Sequence, residues 1–345
     1  MERTTLGTTG IQVSRYCLGA MMFGAWGNPD HDDSIRIIHA ALDAGINFID
    51  TADVYSSGES EKIVGKAIKG RRDEVVLATK FVAPMSDDSN HRGSSRRWII
   101  REVEASLRRL GVDHIDLYQA HRPDPTTDID DTLGALSDLV QQGKVRTIGS
   151  STYPAEQIVE AQWVAERRGH QRFRCEQPPY SIFVRGIETS VLPTCQKYGM
   201  GVIPWSPLAG GWLTGRYRKD SPPPEGGRAR RTPDRFDFER SENQRKLELV
   251  EDLLTVADGA GLSLTHLSMA FVLEHPGVTA AIIGPRTMEQ LTDVLEGAGV
   301  RLADDVLDRI DEIVPPGTNV NTADTGWEAA SLRRSQRRRP RRPAR

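Results

Sequence analysis

No apolar run in this 345-residue chain approaches the roughly 18–20 residues that a membrane-spanning helix needs. The opening MERTTLGTTG has no apolar signal-peptide core, so the expectation is a cytoplasmic protein without membrane insertion. Cysteine is scarce: Cys17, Cys175 and Cys195 make an odd count without close spacing, which argues for reduced, packed thiols over a disulfide frame. No G-x-G-x-x-G follows the first strand-like run. Its nearest approach, Gly199-Met200-Gly201, precedes a strand and cannot cradle a pyrophosphate at a helix start, which leaves a doubly wound sheet as the runner-up. No H-E-x-x-H or Cys–His cluster accompanies His114, His121 and Asp124, and Lys80 would repel a cation, so no metal is expected. Aromatic residues are only 6% of the chain, and the arginine-rich stretch 91–110 offers Trp98 alone for stacking. Its apolar positions define a buried helix face and leave the arginines on a solvated one. Nucleic-acid binding is therefore not expected of the body of the chain.

The net charge of −3 hides an asymmetry. Residues 333–345, RRSQRRRPRRPAR, hold eight arginines and no acid, leaving 37 basic against 48 acidic residues elsewhere, or −11. Such a segment buries too little apolar surface to fold, and the tail 331–345 is expected to be disordered. It is the sole candidate segment for binding nucleic acid or another acidic surface.

Short apolar runs near 16–20, 46–50, 75–80, 115–120, 145–149, 173–177, 201–205 and 279–283 read as buried parallel strands. Helical patterns separate them. In 32–43, Ile35, Ile38 and Leu42 share a face; in 99–110, Ile99, Val103, Leu107 and Leu110 do so ahead of Gly111. Eight strands alternating with helices, at intervals of about 30 residues, predict an α/β fold, a (β/α)8 TIM barrel. It carries an N-terminal β-hairpin, 3–13, and a long loop, 206–241, between barrel strands seven and eight, all within one unit spanning 1–330.

The second strand ends in FIDTADVYSSGESE. Asp50 stands at its C-terminal end and Tyr55 just beyond; Lys80 ends the third strand and His121 follows the fourth. A barrel brings all four to the mouth where barrel enzymes do their chemistry. A phenol with a pKa of about 10 is a poor acid near neutrality. The expectation is that Lys80 lowers it, that Asp50 anchors Lys80 and that His121 orients the substrate. With a hydride donor alongside, this set suits reduction of a carbonyl.

The motifs GINFIDTADVY–GESE, VVLATK, DLYQAHRPD, IGSSTY, PWSPLAGGWLTGRY and IIGPRTMEQL, in this order, resemble the aldo-keto reductase superfamily from about residue 3 to about 316. The long loop is similar to the branch containing bacterial reductases and potassium channel β-subunits. The resemblance implies a barrel that binds extended NADP(H), with Asp50, Tyr55, Lys80 and His121 as the catalytic tetrad. It further implies cofactor contacts at Ala20, Met21 and Asp50, carboxamide contacts at Ser151, Thr152 and Gln177, and an aromatic stack on Trp205. Ser206, Pro207, Leu208 and Gly210 match the loop crossing the pyrophosphate, where main-chain N–H groups and small residues allow close approach. Arg216, and in one register Arg228, match basic residues of that loop. Gly284, Arg286, Gln290 and Asp293 match the adenosine site, where Arg286 beside a helix start suits a 2′-phosphate. Met22, Trp26, Tyr55, Trp98 and His121 are candidates to line the substrate pocket. Three positions depart from the family: Thr152 replaces the usual Asn, Val294 stands where an adenine-contacting Asn is common, and Ser56 replaces Gly. The channel subunits carry an amide at position 121, so the imidazole here favours turnover. The expected activity is NADPH-dependent reduction of an aldehyde or ketone, with a regulatory or sensor subunit that binds NADP(H) as the alternative. The partner is a small carbonyl substrate, and a homo-oligomer is left open.

Overall fold

The computed structural model describes residues 1–219, 221–222 and 232–327; Arg228 and the tail 331–345 lie outside the described residues. A two-stranded hairpin, β1 (Arg3–Thr5) and β2 (Gln12–Ser14), precedes eight strands that pair in parallel. These are β3 (Tyr16–Gly19), β4 (Phe48–Asp50), β5 (Val76–Phe81), β6 (Ile115–Ala120), β7 (Val145–Ser150), β8 (Cys175–Glu176), β9 (Gly201–Val202) and β10 (Ala281–Ile283). Between and after them run α1 (His31–Asp43), α2 (Glu59–Ala67), α3 (Arg96–Leu110), α4 (Ile129–Gln141), α5 (Ala155–Arg168), α6 (Val191–Lys197), α7 (Ser241–Gly259), α8 (Leu264–Glu274), α9 (Met288–Glu296) and α10 (Asp304–Ile313). Each strand from β3 to β9 neighbours the next, and β10 lies beside β3. Backbone bonds from Thr279 N to Val202 O (2.8 Å) and Ile282 N to Pro204 O (2.9 Å) close the ring into a (β/α)8 barrel.

Two apolar layers hold it. Leu6 and Val13 of the hairpin pack with Cys17, Phe48, Ala78, Leu117, Cys175 and Ile203 inside the barrel, so the hairpin stoppers its lower end. Gly7 permits this: a Cβ there would lie 2.5 Å from Gly199 O. Outside, the strands' other faces meet the helices in one continuous core. Fully burying a Phe or Leu contributes roughly 1.5–3 kcal/mol, so each barrel layer is a substantial term. All three cysteines are buried and free.

Two expectations need correction. The strands near 173–177 and 201–205 are two-residue ladders, because Pro178, Pro179 and Pro204 have no N–H to donate; Trp205 keeps one isolated bridge to Pro179. The arginines of 91–110 are not all solvated. Arg109 turns inward from α3 to Glu61 Oε2 (2.6 Å) and Glu102 Oε1 (2.5 Å), both buried, while the predicted face of Ile99, Val103, Leu107 and Leu110 packs on the core.

Candidate active site

Strand β4 delivers Asp50 to the barrel mouth, and the chain then folds back on the strand ends: Thr51 N donates to Ala78 O (2.9 Å) and Asp53 N to Lys80 O (3.2 Å). Tyr55 begins a tight turn in which Ser56 (φ 49°) and Ser57 (φ 56°) are left-handed. That conformation explains the family's preference for Gly at position 56. Here the Ser56 hydroxyl accepts from Trp26 N at 3.1 Å, which ties the turn to the loop after β3.

Lys80 is fully buried, and its ammonium donates to Asp50 Oδ2 (2.5 Å), Thr51 O (2.8 Å) and Tyr55 Oη (3.2 Å). Three donors meet three acceptors, so the head group has one orientation. Asp50 Oδ1 accepts from Gln177 (2.9 Å) and Gln119 (3.2 Å), which locks the carboxylate in turn. Burial pulls the Lys80 pKa down, but Asp50 and Tyr55 more than restore it, so the ammonium is held charged. Tyr55 corrects an expectation. Burial raises its pKa above the ordinary 10.0 and outweighs the lowering by Lys80, because Asp50 neutralises much of that ammonium's field. The phenol therefore stays protonated near neutrality.

The His121 ring stands edge-on to Tyr55, centroids 5.7 Å apart. Burial, with Lys80 and Arg122 nearby, pushes its pKa well below 6.5, so the imidazole is neutral. His114 lies at the other end of β6, seven residues and about 23 Å away, so the two cannot share a metal. Asp53, the second acid of the opening motif, faces away from the mouth. It is fully buried, accepts from Val54 N (2.6 Å) and is pushed well above the carboxylate range by burial and by Glu61 and Glu102.

Trp26 meets the Tyr55 ring at 6.0 Å. Met22 is buried within its own loop, where a Cβ on Gly27 would lie 2.7 Å from its methyl. Trp98 lies in the first turn of α3, is buried and stacks on His91 at 5.3 Å. Ala20 is buried, its N–H donating to Asp50 O at 2.8 Å, and Met21 beside it is half-buried.

On the other side of the mouth, Ser151 Oγ donates to Gln177 O (2.8 Å), and Thr152 is left-handed (φ 60°). Glu176 supports this corner from beneath: its carboxyl accepts from Ser150 Oγ (2.5 Å) and Tyr153 N (3.1 Å), and burial raises its pKa to about 7. Trp205 is half-buried, with its Nε1 sealed and unpartnered. The Arg122 guanidinium lies 5.8 Å from its ring centroid. Past it, Ser206 (φ 56°) and then Ala209 (φ 49°), Gly210 (φ 74°) and Gly211 (φ 114°) are left-handed, on either side of buried Pro207 and half-buried Leu208. Gly284 faces open space after β10.

Arg286 precedes α9, where Thr287 caps Gln290 N. The Gln290 side chain turns back to accept from Arg286 N (2.8 Å), so it serves the helix start. Asp293 is exposed beside His266 (3.7 Å), Val294 is buried at 7% exposure, and Arg216 is exposed. The set suits a dinucleotide: amide and hydroxyl groups for a carboxamide, an indole for a flat ring, left-handed backbone for a pyrophosphate and a cation at a helix start for a further phosphate.

Sequence reading missed four contributors. Gln119 holds Asp50, Glu176 holds the Ser151–Thr152 corner, and Arg122 flanks Trp205. The fourth is the segment Asn319–Trp327, which runs back over the mouth: a Cβ on Gly326 would lie 2.5 Å from the Trp205 ring. Asp324 anchors that segment to the buried Lys246 at 2.5 Å. Only Arg122 and Glu176 carried a local signal, as charges beside predicted site residues.

The family model described as "Aldo/keto reductase family" matches residues 15–315. The chain is 40% identical over 329 residues to "Uncharacterized oxidoreductase YrpG" of Bacillus subtilis (strain 168), covering 92% of this chain and 97% of the relative. It is 39% identical over 304 residues to "Aldo-keto reductase YhdN" of the same organism, covering 87% and 89%. It is 34% identical over 331 residues to "Probable voltage-gated potassium channel subunit beta" of Arabidopsis thaliana, covering 91% and 97%. Eight barrel strands in chain order, four ionisable groups converging at their C-terminal ends and matches over nearly the whole length lead to one statement: this chain is an oxidoreductase of the aldo/keto reductase family.

Proposed function

We propose that the protein reduces an aldehyde or ketone with NADPH, and that Tyr55 delivers the proton. The observation that carries this reading is the Lys80 ammonium, buried and shared between Asp50 Oδ2 and Tyr55 Oη. When bound, NADPH supplies the hydride. Ala20, Met21, Ser151, Thr152, Gln177 and Trp205 would hold its nicotinamide end, Ser206, Pro207, Leu208, Gly210 and Arg216 its pyrophosphate. Gly284, Arg286, Gln290 and Asp293 would hold its adenosine end, and Arg286 is the reason to prefer NADP over NAD.

Tyr55, protonated at neutral pH, donates its hydroxyl proton to the carbonyl oxygen. The phenolate left behind is stabilised by Lys80, whose charge Asp50 maintains, with Gln119 and Gln177 preventing Asp50 from swinging away. Neutral His121 serves as a hydrogen-bonding partner for the same oxygen without competing as an acid. Met22, Trp26 and Trp98 complete an apolar wall. Residues 1–330 form the working unit, in the cytoplasm, with the 331–345 tail dispensable for chemistry.

Purified protein with NADPH and a panel of aldehydes and ketones is the test. Wild type consumes carbonyl and Tyr55→Phe does not; equal turnover by both removes Tyr55 from the acid role. The similarity to channel β-subunits favours a second reading, an NADP(H) sensor, which cofactor binding without turnover in either protein would support.

A further inference from the structure

Several arginines packed into the body of this protein spend their charge in one of two ways. Arg109 reaches Glu61 and Glu102, Arg185 reaches Glu188 and Asp311, and Arg72 reaches Asp116. Arg15 forms no such pair but saturates itself on the carbonyls of Leu273, Val278 and Thr279. Arg122 does neither. Only its Nη1 is engaged, by His121 O at 2.6 Å and weakly by Ser151 Oγ at 3.4 Å, both neutral acceptors. Among the described residues no carboxylate forms an ion pair with it, and the buried Glu176 acts on it only at longer range. Its Nη2 faces Gly326, from whose Cβ position it is 3.8 Å, so no side chain there covers it. The charge sits against Tyr55 and over Trp205, at the reacting end of the site.

A guanidinium is charged at every working pH and presents a planar fork of donors matched to a carboxylate. Beside the proton donor, over the Trp205 ring and with only the buried Glu176 acting on it at longer range, a fork whose Nη2 forms no hydrogen bond suits an anionic oxygen pair brought by a ligand. We propose that Arg122 reads a carboxylate on the substrate, so that the preferred carbonyl compounds are aldehydes or ketones bearing a carboxylate. The inference rests on the reductase reading for the identity of the pocket. The cofactor's pyrophosphate has the same chemistry. It is the less favoured source, because the turn at Ser206–Gly211, with the small residues Ala209, Gly210 and Gly211 left-handed, already lets a pyrophosphate approach the backbone, while Arg122 follows His121 in the loop after β6.

The test uses full-length protein with NADPH and two probes, 4-formylbenzoate and its methyl ester, for wild type, Arg122→Met and Arg122→Lys. The expected result is a wild-type preference in kcat/KM for the acid over the ester that falls by at least about tenfold in Arg122→Met, mostly through KM, and is partly kept in Arg122→Lys. Equilibrium binding of the product alcohol, 4-(hydroxymethyl)benzoate, read by calorimetry, weakens by a similar factor. A preference unchanged in both variants overturns the proposal. So does a loss confined to NADPH affinity, which assigns the charge to the pyrophosphate. If wild type turns over neither aldehyde yet binds the alcohol in an Arg122-dependent way, the carboxylate site stands and the reductase reading falls.

Discussion

The two sides of the barrel mouth are built by opposite means. The proton side rests on β5 and β6, six residues each, whose ladders run the full strand and place Lys80 opposite Gln119 in register. The side proposed for the cofactor rests on β8 and β9, two residues each, and continues in prolines and left-handed turns. A proton relay needs a few groups fixed to within tenths of an ångström, which a continuous sheet supplies. A long flexible ligand needs bare backbone N–H groups along its length, and only an interrupted strand leaves them free. The barrel thus spends regularity on one side and withholds it on the other.

The largest expected effect attacks the regular side at its chemistry. Tyr55→Phe lowers kcat by about 10²–10⁴-fold while leaving NADPH affinity within a few-fold, measured by steady-state kinetics and cofactor titration. Since burial holds the Tyr55 pKa above 10.0, the wild-type reduction rate carries no Tyr55 inflection below that pH. Next, Lys80→Met leaves Asp50 buried without its cation and destabilises the fold by about 3–5 kcal/mol in urea denaturation. A small loss there would mean that the network is not preorganised as described.

The irregular side is probed through Glu176. Its pKa is raised from 4.5 to about 7, so the folded state holds the proton more tightly than the unfolded one. Stability falls as pH rises through that window and levels off above it, by no more than about 3 kcal/mol. Glu176→Gln flattens the profile, as thermal melts across pH would record. The smallest effect sharpens the comparison most. Thr152 is β-branched yet left-handed, a conformation that Asn tolerates better, so Thr152→Asn gains about 1 kcal/mol and tightens cofactor binding. A destabilised Thr152→Asn would show that neighbours, not the backbone angle, dictate this corner.

These contrasts also explain what could be read from residues alone. Runs such as VVLAT are apolar throughout because parallel barrel strands are buried on both faces, so barrel and register of elements were legible. Asp50, Tyr55, Lys80 and His121 were legible because strand ends in a barrel share a rim. What stayed hidden depended on long-range packing. Gln119 looks like any strand residue until β6 is laid beside β5, and Arg109 reads as a surface charge until Glu61 arrives from another helix. The direction of the Tyr55 shift is a balance of burial, cation and anion that no spacing encodes. The short β8 and β9 were within reach, since Pro178, Pro179 and Pro204 announce where a ladder must stop.

Gly326 carries a final consequence. It lies against the edge of the Trp205 indole, where a Cβ would come within 2.5 Å of the ring, almost the whole length of the chain after the first barrel strand. Mutational tolerance should therefore not relax toward the end of the described residues as it does at most termini. In a saturation library, position 326 should reject every side chain as strictly as a core position does, and its pattern of survivors should track that of residue 205.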